Sequence, residues 1–272
     1  MDNGIHFISG LPRSGSTLLA ALLSQNPAIH AAMSSPAASL VASLMRTMSQ
    51  ENEGAVFIDD GQRERVLKAC IDSFYGDIHP EKLVIDTSRD WTAKLSLAAR
   101  LWPASRVICC VRNPAWVLDS LERLTQKNSL EPSGIFKFDP GGNVYTRCEG
   151  LMAGGMVGFA ISALRQAVFS DHADRLLLVR FDTLTRDPNG ALAAIYDFIG
   201  QPRFAHDVEA VEQDYDALMF DARIGAPGLH HVRRRVRQVA RRSLLPPDLF
   251  ERHQAEAFWE TAGGLPPAVR MI

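Results

Sequence analysis

The sequence predicts an α/β fold, a central parallel β-sheet flanked by helices. Three features predict it: short runs that are apolar throughout, helical patterns between them, and a glycine-rich turn joining the first run to the first helix. The apolar runs are Ile5–Ser9, Leu83–Asp86, Arg106–Val111 and Leu176–Phe181. None alternates strictly, as expected of strands covered on both faces. Between them, Ser14–Ser24, Gly61–Tyr75, Trp91–Trp102, Ala115–Gln126 and Gly190–Ile199 space their apolar residues by three and four, the period of an amphipathic helix. Strands alternating with helices imply parallel pairing through right-handed crossovers.

The remaining stretches are less regular. Gly150–Leu164 is an uncharged run of 15 residues, which predicts a buried helix, since spanning a bilayer takes about 20. Met1–Leu11 lacks the basic start and long apolar stretch of a secretion signal. No membrane association is therefore expected. Asn128–Gly142, rich in proline and glycine, reads as a long loop or lid. After Pro202 the chain turns acidic (Asp207, Glu209, Glu212, Asp214, Asp216) and then strongly basic (Arg233, Arg234, Arg235, Arg237, Arg241, Arg242). Val232, Val236 and Val239 recur at four and three, predicting a helix with an apolar stripe and arginines on its other faces. That helix either pairs with the acidic stretch or faces a substrate.

Composition limits the function. The chain has 272 residues, 29 Lys+Arg against 31 Asp+Glu, and 46% hydrophobic residues, an ordinary globular balance for one large or two small domains. A net charge of -2 argues against holding nucleic acid through bulk charge. The arginine run has no interleaved aromatics, and its acidic neighbour would oppose such binding. Cys70, Cys109, Cys110 and Cys148 show neither disulfide nor zinc spacing. A reducing, cytoplasmic setting and no metal are expected.

The strongest chemical signal follows the first apolar run: Gly10-Leu11-Pro12-Arg13-Ser14-Gly15-Ser16-Thr17. A glycine-rich turn between a buried strand and a helix aims backbone N–H groups at one point, and the helix dipole adds positive potential there. The spacing is P-loop-like except that Ser16 stands where the nucleoside-triphosphate pattern has lysine. The basic side chain in the loop is Arg13. The run Arg106–Val111 ends in Arg112, a cation, where a triphosphate enzyme carries a carboxylate for magnesium. A metal-free site for a phosphate-bearing donor fits better. Ser120 follows Arg112 by eight residues, about two helical turns on, so guanidinium and hydroxyl can reach one phosphate.

These two motifs, Leu11–Leu18 and Val107–Pro114 with Ser120, resemble the sulfotransferase superfamily, which uses 3'-phosphoadenosine 5'-phosphosulfate (PAPS). Arginine in the loop resembles the protein-tyrosine sulfotransferases and their bacterial relatives. The resemblance implies sulfuryl transfer from PAPS to an acceptor hydroxyl on a small molecule or a peptide tyrosine, leaving 3'-phosphoadenosine 5'-phosphate (PAP). It also implies site roles. Arg13 would contact the bridging oxygen and 5'-phosphate. Pro12, Ser14, Gly15, Ser16 and Thr17 would complete the cradle, while Arg112 and Ser120 would hold the 3'-phosphate. The chain reads as one domain over 1–272, with a nucleotide-binding core over 1–202 and an accessory segment, 203–272, which by the resemblance closes over the site.

The catalytic base does not carry over. Counted from the loop arginine, the family's glutamate falls on Ser34 and its lysine on Asp86. Candidate bases are Asp86, His30, Asp90 and His230. Asp86 ends a buried strand on the side where α/β sheets bind ligands. His230 and Arg233 belong to the late segment that in the superfamily covers the nucleotide. An ATP-dependent phosphotransferase and a catalytically silent nucleotide-binding module are the alternatives.

Overall fold

The computed structural model describes residues 4–78, 81–130, 133, 142–261 and 263–272. Six strands form one parallel sheet: β1 (Ile5–Gly10), β2 (Ile29–Ala31), β3 (Leu83–Thr87), β4 (Val107–Val111), β5 (Leu176–Arg180) and β6 (Arg270–Met271), in the order β2-β3-β1-β4-β5-β6. The α/β class and the parallel sheet agree with expectation. The two extra strands are short edge pieces, too brief to leave a hydrophobic signature.

Twelve helices are described. The first six are α1 (Ser16–Leu23), α2 (Ala37–Thr47), α3 (Asp60–Phe74), α4 (Asp90–Ala93), α5 (Leu95–Leu101) and α6 (Pro114–Lys127). The others are α7 (Val144–Met152), α8 (Met156–Val168), α9 (Phe181–Arg186), α10 (Pro188–Ile199), α11 (Tyr215–Arg223) and α12 (Pro247–Gln254). Successive strand residues feed two apolar layers. Phe7, Val84, Cys109 and Leu178 pack with α2–α8 on one face; Ile8, Ile85, Cys110 and Leu177 pack with α1 and α10 on the other. Burial on both faces explains why the strands read as unbroken apolar runs.

Three expectations are corrected. The Trp91–Trp102 helix is two pieces, α4 and α5, meeting at Lys94. Gly150–Leu164 is likewise not one helix: α7 ends at Met152, the chain turns through Ala153–Gly155, and α8 begins at Met156. By length and composition Val144–Val168 could cross a membrane. The turn divides it, and Leu151, Val157, Leu164 and Val168 are buried in the core. The valine stripe forms no helix. Residues 232–243 form neither helix nor strand, with Val232 and Val236 buried and Val239 exposed. This strap is held by neighbours instead of by its own ladder: the Val211 N–H donates to the Arg234 carbonyl at 2.7 Å, and the Val236 N–H to the Val208 carbonyl at 2.9 Å. An ion pair joins Arg235 to Glu209, so the basic run does meet the acidic stretch. Most of the expected loop at 128–142 lies outside the described residues.

Candidate active site

A cavity of about 490 Å³ opens at the C-terminal ends of the central strands, where open parallel sheets place their ligands. Its floor is the turn between β1 and α1. Gly10 adopts φ +112°, and a Cβ there would collide with the Cys110 carbonyl on neighbouring β4. The close approach lets the Leu11 N–H donate to that carbonyl at 2.9 Å. Gly15 caps α1 at φ +101°. The first N–H groups of a helix have no intrahelical partner, so those of α1 are free for an anion. Arg13, between the two glycines, takes φ +58°, a left-handed conformation that costs a non-glycine residue of order 1–3 kcal/mol.

Both sequence motifs meet here. The Arg13 Nε–H donates to Ser120 Oγ at 3.1 Å, and Arg112 Nη1 donates to the Arg13 carbonyl at 3.3 Å. The Arg112 guanidinium lies over the Phe181 ring, 4.2 Å from its centroid. Burial lowers the Arg13 pKa to about 10, with Arg241 adding to the shift and Asp221 opposing it. Arg112 is also lowered to about 10, by burial first and then by the charges of Arg241 and Arg13. Cations crowded together in a poorly solvated pocket make a site for a multiply charged anion.

The strap supplies the opposite wall. Arg241 is anchored by Asp119, a fully buried carboxylate on α6, at 2.5 Å. The same carboxylate takes Arg123 at 3.2 Å and the Leu244 N–H at 2.7 Å. Asp119 thus ties the strap down beside Ser120. At the other end of the strap, both oxygens of buried Asp221 engage His230. The His230 N–H donates to Oδ2 at 2.7 Å, and Nδ1 lies 2.6 Å from Oδ1. Holding Nδ1 as the N–H leaves Nε2 as an acceptor, and His230 lines the cavity. Burial lowers the His230 pKa, Asp221 opposes the shift, and Arg13 and Arg89 reinforce it. A neutral imidazole with a fixed tautomer can take a proton.

The chain matches the sequence profile described as "Sulfotransferase family" over residues 6–206. The chain belongs to the sulfotransferase family. Its fold resembles the sulfotransferase domain from the curacin biosynthetic pathway, with TM-score 0.52, 18% identity and 79% of each chain covered. It also resembles the sulfotransferase domain of the Synechococcus PCC 7002 olefin synthase, with TM-score 0.50, 20% identity and 95% of each chain covered. A sulfotransferase from Alicyclobacillus acidocaldarius aligns at TM-score 0.51 and 16% identity, over 82% of this chain and 92% of that one.

Within this cavity, Pro12, Arg13, Gly15, Ser16, Thr17, Arg112, Ser120, His230 and Arg233 all line the wall. Ser14 does not: its hydroxyl is turned into the fold, 2.8 Å from the Cys110 carbonyl. Asp86 sits beneath the cavity instead of on it. Only 1% exposed, its carboxylate accepts hydrogen bonds from the Tyr75 and Ser35 hydroxyls and the Trp91 indole N–H. Those three donors leave it little capacity to take a substrate proton. Its contact with Ser35 steadies the segment carrying Ser34, which does line the cavity. His30 packs edge-on to Tyr75 at 5.7 Å, outside the lining. Asp90 lines the cavity but is paired with Lys94 at 3.3 Å. Sequence reasoning missed Asp119, Asp221, Arg241 and Phe181. Asp119 alone left a trace, an acid on the buried face of an amphipathic helix.

Proposed function

We propose that this chain transfers the sulfuryl group of PAPS to an acceptor hydroxyl, releasing PAP, in a cytoplasmic setting consistent with its free thiols. The observation that carries the reading is the junction at Arg13, whose Nε–H donates to Ser120 at 3.1 Å and whose carbonyl accepts from Arg112 at 3.3 Å. It supports one continuous anion site from the β1 turn to the start of α6. In this reading the α1 N-terminus, Ser16 and Thr17 cradle the 5'-phosphosulfate, and Arg13 neutralises charge growing on the bridging oxygen as the S–O bond breaks. Arg112, Ser120 and Arg241 hold the 3'-phosphate, with Arg233 reaching in from the strap.

His230 is the base in this reading. Its Nε2 takes the proton from the acceptor hydroxyl while the acceptor oxygen bonds to sulfur and the sulfur–phosphate oxygen bond breaks. Asp221 keeps Nδ1 protonated and stabilises the imidazolium that forms, a role met in other histidine–carboxylate pairs. Asp86 is a positioning residue for the Ser34–Ser35 segment. The arrangement needs no metal. Isothermal titration of PAP in the presence of EDTA tests the reading, with saturable one-to-one binding expected. No binding under those conditions would contradict it.

A further inference from the structure

Arginines stand at three adjacent strand ends. Arg89 follows β3, Arg13 follows β1 and Arg112 follows β4, in the sheet order β3-β1-β4. Register fixes the spacing: Ile8 pairs with Thr87 and Ser9 with Cys109. Arg89 and Arg112 therefore stand on opposite sides of Arg13, on strands that are two spacings, about 10 Å, apart. If the donor spans Arg13 and Arg112, as proposed above, Arg89 lies beyond its sulfate end.

The surroundings of Arg89 are those of a second ligand. It lines the cavity with Ser34, Ser88, Phe220 and His230, and its charge reaches His230. Its backbone is pinned, since the Ser9 hydroxyl donates to its carbonyl at 3.0 Å. Among the described residues its guanidinium makes no hydrogen bond or ion pair. The adjacent Asp90 favours its charge from a distance but is paired with Lys94. Two residues earlier, Thr87 also lines the cavity, and its buried hydroxyl has no hydrogen-bond partner among the described residues. Orphaned polar atoms are rare in folded proteins and call for an explanation.

We propose that Arg89 and Thr87 form an anion subsite for the acceptor, so that the hydroxyl compound sulfated here carries a carboxylate or phosphate group close to its hydroxyl. Arg89 takes the anion and Thr87 donates to it. This fixes the hydroxyl against His230, while Phe220 covers the apolar part. The proposal rests on the donor reading above but can fail separately from it.

The test uses protein saturated with PAP, so that the donor site is filled, and inorganic phosphate as the probe. Calorimetry is expected to show a second phosphate site in the wild type. In Arg89→Gln its affinity should be at least tenfold weaker, with PAP affinity unchanged. In a labelled-PAPS assay, hydroxy acids should be preferred over their methyl esters at least tenfold in kcat/KM, and Arg89→Gln should erase the gap through KM. Absence of the second phosphate site, its full retention in Arg89→Gln, or equal turnover of acid and ester would each overturn the proposal. Failure of PAP itself to bind would overturn the donor reading, and the subsite with it.

Discussion

The two walls of the cavity are built by opposite means. The β1 turn is set by backbone: a glycine pressed against Cys110, a capped helix and hydrogen bonds between neighbouring strands. The strap, residues 232–243 with His230 and Leu244 flanking it, has no ladder of its own. Besides its two backbone bonds to residues 208–211, it is held by two buried carboxylates, Asp119 near its end and Asp221 at its start. The backbone wall offers fixed dipoles to the part of the donor that must not move. The strap brings side chains, the proposed base His230 among them. Damage to the first should cost the fold, and damage to the second should cost chemistry or affinity.

The largest effect is expected at Gly10. Gly10→Ala forces a side chain into the Cys110 carbonyl at a left-handed φ. Overpacking and backbone strain each cost about 1–3 kcal/mol, so thermal unfolding should reveal a severely destabilised or unfolded protein. A variant with wild-type Tm would show that the turn is not rigid. Next comes His230→Gln, which should lower kcat by about 10²- to 10⁴-fold, the usual worth of a general base, with PAP affinity nearly unchanged. Burial depresses the His230 pKa below 6.5, and only the neutral imidazole accepts a proton. The wild-type rate should therefore be flat around neutrality and fall as acid protonates His230. His230→Gln should lose that acid limb, and a limb that persists would assign it to another group.

How far the sequence revealed each wall follows from the same contrast. The turn, Arg112 and Ser120 were legible because their spacing is local: glycine positions along a turn, and a hydroxyl two helical turns from a strand end. The strap was misread as a helix because Val232, Val236 and Val239 carry a helical period. Its real partners, Glu209, Asp119 and the 208–211 backbone, do not appear in that period. Asp119 lies more than a hundred residues from the strap it anchors, and no local pattern reports such a pairing. Asp86 has the position of a catalytic base in the sequence, but Tyr75, Trp91 and Ser35 converge on it only in the fold.

Smaller effects should separate the walls further. Arg112→Ala removes a charge-assisted contact worth roughly 1.5–3 kcal/mol, so PAP affinity should fall more than tenfold without loss of fold. Asp119→Asn leaves Arg112 and Ser120 in place but loosens Leu244 and Arg241, the third proposed phosphate contact. A decrease in PAP affinity of about three- to tenfold is expected, with faster tryptic cleavage at Arg233–Arg242. Unaltered cleavage would mean that the strap is anchored elsewhere.

The proposed shared grip of Arg13, Arg112 and Ser120 on a nucleotide carrying two phosphates is best tested by titrating PAP against adenosine 5'-monophosphate, which lacks the 3'-phosphate. In the wild type PAP should bind at least about tenfold more tightly, and Arg112→Ala should remove most of that advantage. Equal affinities for the two nucleotides in the wild type would mean that no 3'-phosphate site exists at the end of β4.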